Sequence, residues 1–348
     1  MSWTELRSDL QRARRLTSGT PPVEVPWSAI GGLGVLVAKD RGYRDCPWDF
    51  EVPPLFEADG WKSYDVEVDF KDVVLWLVEK DKDNFTYLRL LLQLLVRRLK
   101  YQAVLKTQAF STADQVGPRA LLEHGLLEPG ALGSLLVWRK WVMDIDNRSG
   151  QETGYLYDTI VSAALGGVSY GATNSPISRS NAKGRRQVDA VVEIDDNEKY
   201  AYEVKIRITD AASRQGRIAE EIQFPADCAH SGFIPRLLVF DPTDCATLRE
   251  LIAAFERNGG NCYLGEAAYT HVRELAGEAN ALFLERYVAK PLRVVEQTIP
   301  DPGEGRALAD LQLSAASGHI VVTVTGHPPY VIRRQVDPTS AAGPQDEQ

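Results

Sequence analysis

The sequence predicts an α/β fold whose core is a mixed central sheet flanked by helices, with an α+β region before it. Two runs of alternating apolar residues, Gln187–Ile194 and Lys199–Arg207, flank the turn-forming residues 195–197 and predict a β-hairpin. The continuous apolar run Arg236–Asp241 is typical of a buried strand, and the amphipathic run Ala246–Asn258 is typical of a helix. Strands that alternate with helices in this way indicate an α/β core.

The first 145 residues are expected to form the α+β region. Ser2–Leu16 predicts a helix, whereas the proline, glycine and tryptophan content of residues 20–60 predicts irregular structure with short strands. Tyr64–Phe70 alternates valines with charged residues as an edge strand does, and we expect Val73–Val78 to continue that sheet.

Longer helices are expected after this sheet. Asn84 is a suitable N-cap for a helix that runs from Phe85 to Lys106 and is apolar for most of its length. Further helices are predicted over Val116–Glu123 and Leu132–Asp144.

The core is expected to open with a helix over Gln151–Leu165, which a glycine-rich loop over Gly166–Gly184 joins to the hairpin. Residues 209–221 predict a loop that leads into a helix. The remaining expected elements are a strand Asn261–Leu264, helices Glu266–Leu275 and Glu278–Ala289, a hairpin of His319–Thr325 with Pro329–Arg334, and a disordered tail Asp337–Gln348. These elements divide the chain into an N-terminal region 1–145, a core 146–295 and a C-terminal hairpin with its tail, 296–348.

The composition is that of an ordinary globular protein, with 348 residues of which 44% are hydrophobic and 25% charged. The charged N-terminus lacks the apolar region of a signal peptide, and no apolar run approaches the length of a membrane span. The four cysteines have no CxxC spacing and the five histidines are scattered, which argues against a zinc site. We therefore expect a cytoplasmic protein with no membrane segment and with reduced cysteines.

The net charge of −9 argues against binding to nucleic acid unless cations are concentrated locally. The segment just before the hairpin, residues 176–188, has four cations and no acid: Arg179, Lys183, Arg185 and Arg186. Two more cations, Arg214 and Arg217, lie near the start of a predicted helix, where the dipole disfavours them unless an anion is present. A DNA phosphate would supply that anion, although solvent would also tolerate the charges.

The polar face of the predicted hairpin carries Asp189 on its first strand and Glu203 and Lys205 on its second. Two carboxylates and an amine at the edge of a sheet are the groups needed to hold a hard divalent cation and activate a water molecule. The same residues would also suit a solvated hairpin, in which a cross-strand Glu–Lys pair is ordinary.

The register of this hairpin decides whether the two carboxylates can meet, because residues directly opposite each other in an antiparallel pair share a face of the sheet. A loop of residues 195–197 places Asp189 opposite Glu203, whereas a loop with an even number of residues places it opposite Val204. We therefore predict the odd loop, or a β-bulge between Asp189 and Glu203, with both carboxylates close enough to share one cation.

The spacing of these residues resembles a known nuclease signature. Asp189, followed by Glu203-Val204-Lys205, is similar to the PD-(D/E)xK motif that many restriction endonucleases share, with Val188 at the proline position. The segment SRQGRIAEEIQFPADCAHSGFIPRLLVFDPT that follows is similar to ApaLI-like restriction endonucleases. The resemblance covers residues 150–290, so it implies a restriction-endonuclease-like core and says little about the first 140 residues.

The resemblance implies a metal-dependent type II endonuclease that cuts double-stranded DNA at a specific site and acts as a homodimer. It implies that Mg²⁺ is held by Asp189, Glu203 and the backbone carbonyl of Val204, and that Lys205 orients the attacking water and stabilises charge on the phosphorane. A carboxylate of the first core helix often joins such a site, and Glu152 is the candidate here. An acidic residue in a first helical turn is also favoured by the helix dipole alone. The six cations of the two basic segments are the expected DNA contacts.

Two other functions fit the same residues. One is a repair or junction-cleaving nuclease of the same superfamily, although the long N-terminal region favours target recognition or dimerisation and hence restriction. The other is a non-catalytic DNA-binding protein in which the spacing of Asp189, Glu203 and Lys205 is coincidental.

Overall fold

The computed structural model describes residues 2–16, 21–194, 198–208, 218–299, 308–316 and 318–335. The chain divides into two compact units. Unit 1 comprises residues 1–76, 91–153 and 293–348, and unit 2 comprises residues 77–90 and 154–292. The fold is mixed α/β, as the sequence predicts.

The N-terminal half of the chain is mainly helical. Its helices are α1 (Trp3–Ala13), α2 (Trp27–Asp40), α3 (Ala58–Lys62), α4 (Phe70–Lys80), α5 (Asp83–Thr107), α6 (Ala113–Val116), a 3₁₀ turn (Gly117–Leu122) and α7 (Pro129–Ala164). Strands β1 (Arg15–Leu16) and β2 (Val23–Glu24) form a short antiparallel pair. The long helix expected from Phe85 to Lys106 is confirmed as α5.

Helix α2 lies where irregular structure was expected, so that expectation is wrong. The glycines of α2, which lower its helix propensity, allow neighbouring residues to pack closely against the helix, where a side chain would prevent that contact. A Cβ atom on Gly31 would lie 2.7 Å from Val68, and one on Gly32 would lie 2.6 Å from Tyr64. Tyr64–Phe70 was expected to be an edge strand, but residues 64–69 are irregular chain packed against these glycines, and Phe70 begins α4.

Helix α4 replaces the strand expected over Val73–Val78. The buried side chains Val73, Val74 and Leu77 recur at helical spacing, which shows that the period of 3.6 prevails over β-branched propensity here. The helices expected over Leu132–Asp144 and Gln151–Leu165 are parts of one continuous helix, α7, since Gly150 between them does not break it.

The sheet of unit 2 has the order β3-β4-β5-β6-β7. Its strands are β3 (Val168–Tyr170), β4 (Val188–Glu193), β5 (Lys199–Arg207), β6 (Ile234–Asp241) and β7 (Asn261–Leu264). The pairs β3–β4 and β4–β5 are antiparallel, whereas β5–β6 and β6–β7 are parallel. The predicted mixed central sheet is therefore confirmed.

Helices cover both faces of this sheet. On one face, α8 (Ile218–His230) and α9 (Ala246–Arg257) pack in a cluster with Leu237 and Val239. On the other face, the end of α7 and α10 (Glu266–Leu275) pack with Leu238 and Phe240. Strand β6 is thus buried on both sides, which explains its continuous apolar sequence.

The rest of the described chain completes the fold without adding to this sheet. It comprises α11 (Glu278–Phe283), a π-helical turn (Leu284–Ala289), α12 (Lys290–Glu296) and strands β8 (Leu311–Ala316), β9 (His319–Val324) and β10 (Tyr330–Arg333). Strands β9 and β10 are antiparallel, which confirms the predicted C-terminal hairpin, and β8 pairs with the other edge of β9. Within the described ranges, every helix is too short or too polar to cross a membrane.

Candidate active site

The hairpin of β4 and β5 has the register that the odd loop requires. Ala190 pairs with Tyr202 and Glu193 pairs with Lys199. The backbone N–H of Ile194 donates to the carbonyl of Glu198 at 3.0 Å, so three residues join the two strands. The predicted register is confirmed, while the loop residues 195–197 themselves lie outside the described residues. Extending this register by one residue places Asp189 opposite Glu203.

A β-bulge lies on the other side of β4. Val191 pairs with Val168 of β3, but Val188 pairs with Tyr170, so Asp189 and Ala190 together oppose a single residue of β3. Bulges re-aim side chains and are common beside active sites. Asp189 is therefore one of the two bulged residues of β4.

The carboxylate of Asp189 is held against β5. Its Oδ2 accepts a hydrogen bond of 2.8 Å from the backbone N–H of Val204, the residue between Glu203 and Lys205. Burial raises the pKa of Asp189 well above its ordinary value, and the negative charges of Glu203 and Asp158 raise it further. The bond from Val204 and the positive charge of Lys205 offset this only in part. Acidic groups therefore concentrate negative charge around Asp189.

Lys205 is held between two carboxylates. Its Nζ lies 2.8 Å from Oε1 of Glu203 and 2.9 Å from Oε1 of Glu221, and about a quarter of its side chain is exposed. Burial alone would lower the pKa of Lys205, but the charges and hydrogen bonds of Glu203 and Glu221 outweigh it and raise that pKa. The side chain is consequently an ammonium ion at neutral pH.

Sequence reasoning did not identify Glu221. It lies in the first turn of α8, where the helix dipole favours acidic residues and where Glu220 precedes it. The signal in the sequence was a pair of glutamates opening the helix after Lys205. That signal could not show which of the two faces the lysine.

Helix α7 carries an acid near Asp189, but that acid is Asp158 and not the expected Glu152. Glu152 is buried in unit 1 with Oε2 2.6 Å from Arg97 and Oε1 3.9 Å from Arg148. Asp158 belongs to unit 2, and its charge contributes to the raised pKa of Asp189. Six residues along an α-helix turn the side chain by roughly 240°, so the two acids point in different directions. The sequence predicts the helix but not its rotational phase.

The basic segment before β4 is a small hairpin fixed to α8. Ser178 and Arg185 form an antiparallel bridge, and the Arg179 N–H donates to the Gly184 carbonyl. Buried Arg186 donates to Oδ2 of fully buried Asp227 at 2.5 Å and to Glu220 at 3.0 Å. Arg186, expected to contact DNA, is therefore a buried structural cation.

The other cations of this hairpin differ in their exposure and in their hydrogen-bond partners. Arg179 makes a two-pronged ion pair with Glu220, at 3.0 and 3.2 Å. Lys183 is exposed, and Arg185 is exposed while donating to the Ser175 carbonyl at 2.7 Å. Arg214 and Arg217 lie outside the described residues.

A buried cysteine of α8 lies beneath the site. Cys228 is fully buried in the cluster between α8 and the sheet. Burial raises the pKa of its thiol, and the charge of Glu203 adds to this effect. Glu203 also shares the Lys205 ammonium with Glu221 of α8, so its carboxylate lies on the α8 side of the sheet.

The donor set fits a hard divalent cation. In the part of the chain that the structure describes, no group of three or more His, Cys, Asp and Glu side chains is placed to hold a metal by itself. Magnesium typically uses only one or two protein carboxylates and keeps several waters, so Asp189 and Glu203 meet its needs. The charges of Glu203 and Asp158 contribute to the raised pKa of Asp189, and a bound cation would neutralise part of this negative charge.

Comparison with known proteins connects this site to a family. The model of the ApaLI-like restriction endonuclease family matches residues 61–289, a range that contains every site residue described above. The chain is 42% identical over 294 residues to the Type II restriction enzyme ApaLI of Acetobacter pasteurianus, an alignment that covers 82% of this chain and 77% of that protein. No solved structure matches the chain.

Proposed function

The chain belongs to the ApaLI-like restriction endonuclease family, and from this we propose that it is a Mg²⁺-dependent endonuclease that cuts double-stranded DNA at a specific site. The observation that supports the proposal is the meeting of Asp189, Glu203 and Lys205 at one hairpin, with Val204 hydrogen-bonded to Asp189. We propose a cytoplasmic restriction role. We also propose that residues 146–295 carry the chemistry and residues 1–145 serve target recognition or dimerisation.

Asp189, Glu203 and the backbone carbonyl of Val204 would hold the magnesium ion. When bound, the ion supplies Lewis-acid polarisation of the scissile phosphodiester and a lowered pKa for a coordinated water. Asp158 takes the helix position in place of Glu152, since its charge reaches Asp189. Without a cation, these carboxylates would repel the phosphate backbone of DNA.

Lys205 acts as an electrostatic donor. Because its pKa is raised, it carries a proton at neutral pH and cannot accept one from the attacking water. Its ammonium group can instead orient that water and stabilise negative charge that develops on the pentacoordinate phosphorane.

The exposed cations of the basic hairpin, Lys183 and Arg185, are the proposed contacts to the DNA backbone, together with Arg179 when phosphate displaces Glu220. Arg214 and Arg217 are also proposed to contact DNA, because they precede the first residue of α8 in the sequence. Arg186 supports the hairpin from within.

A second copy of the chain is the proposed partner. The described part of one chain contains one such hairpin site, whereas a duplex has two strands to cut, and a two-fold dimer matches a palindromic site. Leucines in and just after the 3₁₀ turn support this assembly, since Leu121, Leu122 and Leu126 are 82%, 89% and 75% exposed. An exposed apolar cluster of this kind is typical of an interaction surface.

One experiment tests the activity directly. Plasmid and phage DNA are incubated with purified protein and Mg²⁺, and the ends of the products are sequenced. The proposal predicts a common sequence at every end, no cleavage in EDTA, and DNA binding without turnover in Ca²⁺. Cleavage that persists in EDTA would exclude the metal mechanism, and ends of random sequence would exclude a restriction-type enzyme.

A further inference from the structure

Two consecutive glutamates at the start of α8 make different ion pairs. Glu220 binds Arg179 and Arg186 of the basic hairpin. Glu221 binds Lys205 on β5 at 2.9 Å. The first turn of one helix thus contacts both the proposed DNA-binding hairpin and the proposed catalytic lysine.

We infer that Glu221 is a positioning residue that holds the Lys205 ammonium in place while Glu203 is occupied by the metal ion. The inference rests on the proposed function. It also makes a claim about Lys205 that can be measured without any cleavage reaction.

Glu203 cannot hold the lysine by itself throughout the reaction. In the metal-free protein it lies 2.8 Å from Lys205 Nζ, but it is also a proposed metal ligand. A carboxylate that binds a divalent cation shares its negative charge with that cation, so its attraction for the lysine weakens. Glu221 is on another element, and its interaction with Lys205 does not depend on that ligand.

The position of Glu221 is fixed by its surroundings. Its neighbour Glu220 pairs with Arg186, which also pairs with fully buried Asp227 near the C-terminal end of α8. These contacts fix the first turn of the helix against the basic hairpin. A supporting carboxylate on such a fixed backbone holds its partner with little freedom, as a precise catalytic site requires.

Two other roles for Glu221 make different predictions. If Glu221 were itself a ligand of the metal ion, its loss would raise the Mg²⁺ concentration needed for half-maximal rate. If Glu221 only stabilised the fold, its loss would lower the melting temperature and leave the chemical reactivity of Lys205 in the folded protein unchanged.

The first test measures Lys205 directly. Glu221→Gln removes the charge and keeps the shape, and Glu250→Gln is the same change on the exposed surface of α9. Each protein is trace-labelled with acetic anhydride at one fixed pH, in Ca²⁺ and without DNA, and the Lys205 peptide is quantified by mass spectrometry. Because Glu221 holds Lys205 Nζ at 2.9 Å, Glu221→Gln should increase the labelling of Lys205, while Glu250→Gln is labelled as the wild type is. Equal labelling of Lys205 in Glu221→Gln and wild type would overturn the inference.

The second test measures the chemical step. Under single-turnover conditions at saturating Mg²⁺, Glu221→Gln should reduce the cleavage rate by on the order of tenfold or more, with DNA affinity in Ca²⁺ and the half-saturating Mg²⁺ concentration unchanged. A rate restored by more Mg²⁺, or a rate equal to that of the wild type, would overturn the positioning role. If the wild-type protein itself does not cut DNA, the proposed function fails, and the extent of Lys205 labelling still decides whether Glu221 holds Lys205.

Discussion

The backbone N–H of Val204 donates a 2.8 Å hydrogen bond to Oδ2 of Asp189. This bond joins β4 to β5 at the residue that separates Glu203 from Lys205, so it holds Asp189 beside the other two candidate site residues. It also favours the ionised form of this carboxylate and so offsets part of the rise in its pKa that burial and the acidic neighbours cause. Oδ1 of the carboxylate and the second lone pair of Oδ2 are then available to bind a cation.

Lys205→Ala should abolish cleavage while the protein remains folded. The loss of one charge partner for the transition state typically costs on the order of 10²–10³ in rate. The measurement is single-turnover cleavage, with Lys199→Ala on the same strand as the control and thermal unfolding as the check on folding. A Lys205→Ala protein that cuts DNA at the wild-type rate would exclude the assigned role.

Asp189→Asn should lose metal-dependent cleavage and gain stability in EDTA at pH 7. Since the pKa of Asp189 is raised in the folded protein, this residue costs folding free energy at any pH above the ordinary aspartate pKa, and the cost grows until the pH reaches the raised value. The cost disappears below the ordinary aspartate pKa, where the group is protonated in both the folded and unfolded states. The gain in melting temperature, on the order of 2–4 °C per kcal/mol, should therefore vanish as the pH falls. A melting temperature that drops at pH 7 would show that Asp189 is structural.

Asp158→Asn should change the Mg²⁺ dependence of cleavage, whereas Glu152→Gln should change the stability of the fold. The first change removes a charge that acts on Asp189, so the Mg²⁺ concentration for half-maximal cleavage should change while stability is kept. The second breaks a buried ion pair with Arg97, so stability should fall by about 3–5 kcal/mol while the Mg²⁺ dependence of the folded protein is unchanged. Mg²⁺ titrations of cleavage and denaturant unfolding separate the two effects. The reverse pattern would restore Glu152 to the site.

The double change Lys183→Gln with Arg185→Gln should weaken DNA binding and flatten its salt dependence. Each lost phosphate contact lowers the log–log slope by about one unit. The matched control is Arg257→Gln, which removes an exposed cation from the end of α9. A slope that stays at the wild-type value would mean that these cations are only solvated. Arg186→Gln should instead destabilise the fold, since it leaves Asp227 buried without its partner.

Leu122→Asp should convert a two-chain assembly to single chains. A carboxylate placed in an apolar interface is desolvated without a partner, which opposes association. Sedimentation equilibrium of the wild type and the variant measures this, with Leu308→Asp as a control at a leucine that is 67% exposed elsewhere. A single-chain wild type, or a variant with the wild-type mass, would show that the exposed leucines do not form the dimer interface.

The parts of the site that could be predicted from the sequence are local ones. The β4–β5 hairpin is predicted by its period-two alternation of apolar residues. The odd number of residues in its loop places Asp189 opposite Glu203. Asp158 and Glu221 depend on how two helices are rotated against the sheet, and that rotation is set by packing between residues distant in sequence. The sequence therefore predicts a helix such as α7, but it does not predict which of the acidic residues on that helix faces the sheet.

The errors in the fold have a similar origin. Residues 27–40 contain three glycines that weaken any helix prediction, yet two of them are needed for Val68 and Tyr64 to approach the helix backbone. In α4, the adjacent valines suggest a strand, but burial of one helical stripe determines the structure. In both cases tertiary packing outweighs local propensity.

The buried thiol of Cys228 can serve as a chemical probe of the motion of α8. A thiol is alkylated as its thiolate and only where reagent can reach it, and burial together with Glu203 suppresses both conditions here. Modification of this side chain therefore requires α8 to separate from the sheet for a moment. The alkylation rate, followed residue by residue, would report how often that separation occurs and whether substrate suppresses it.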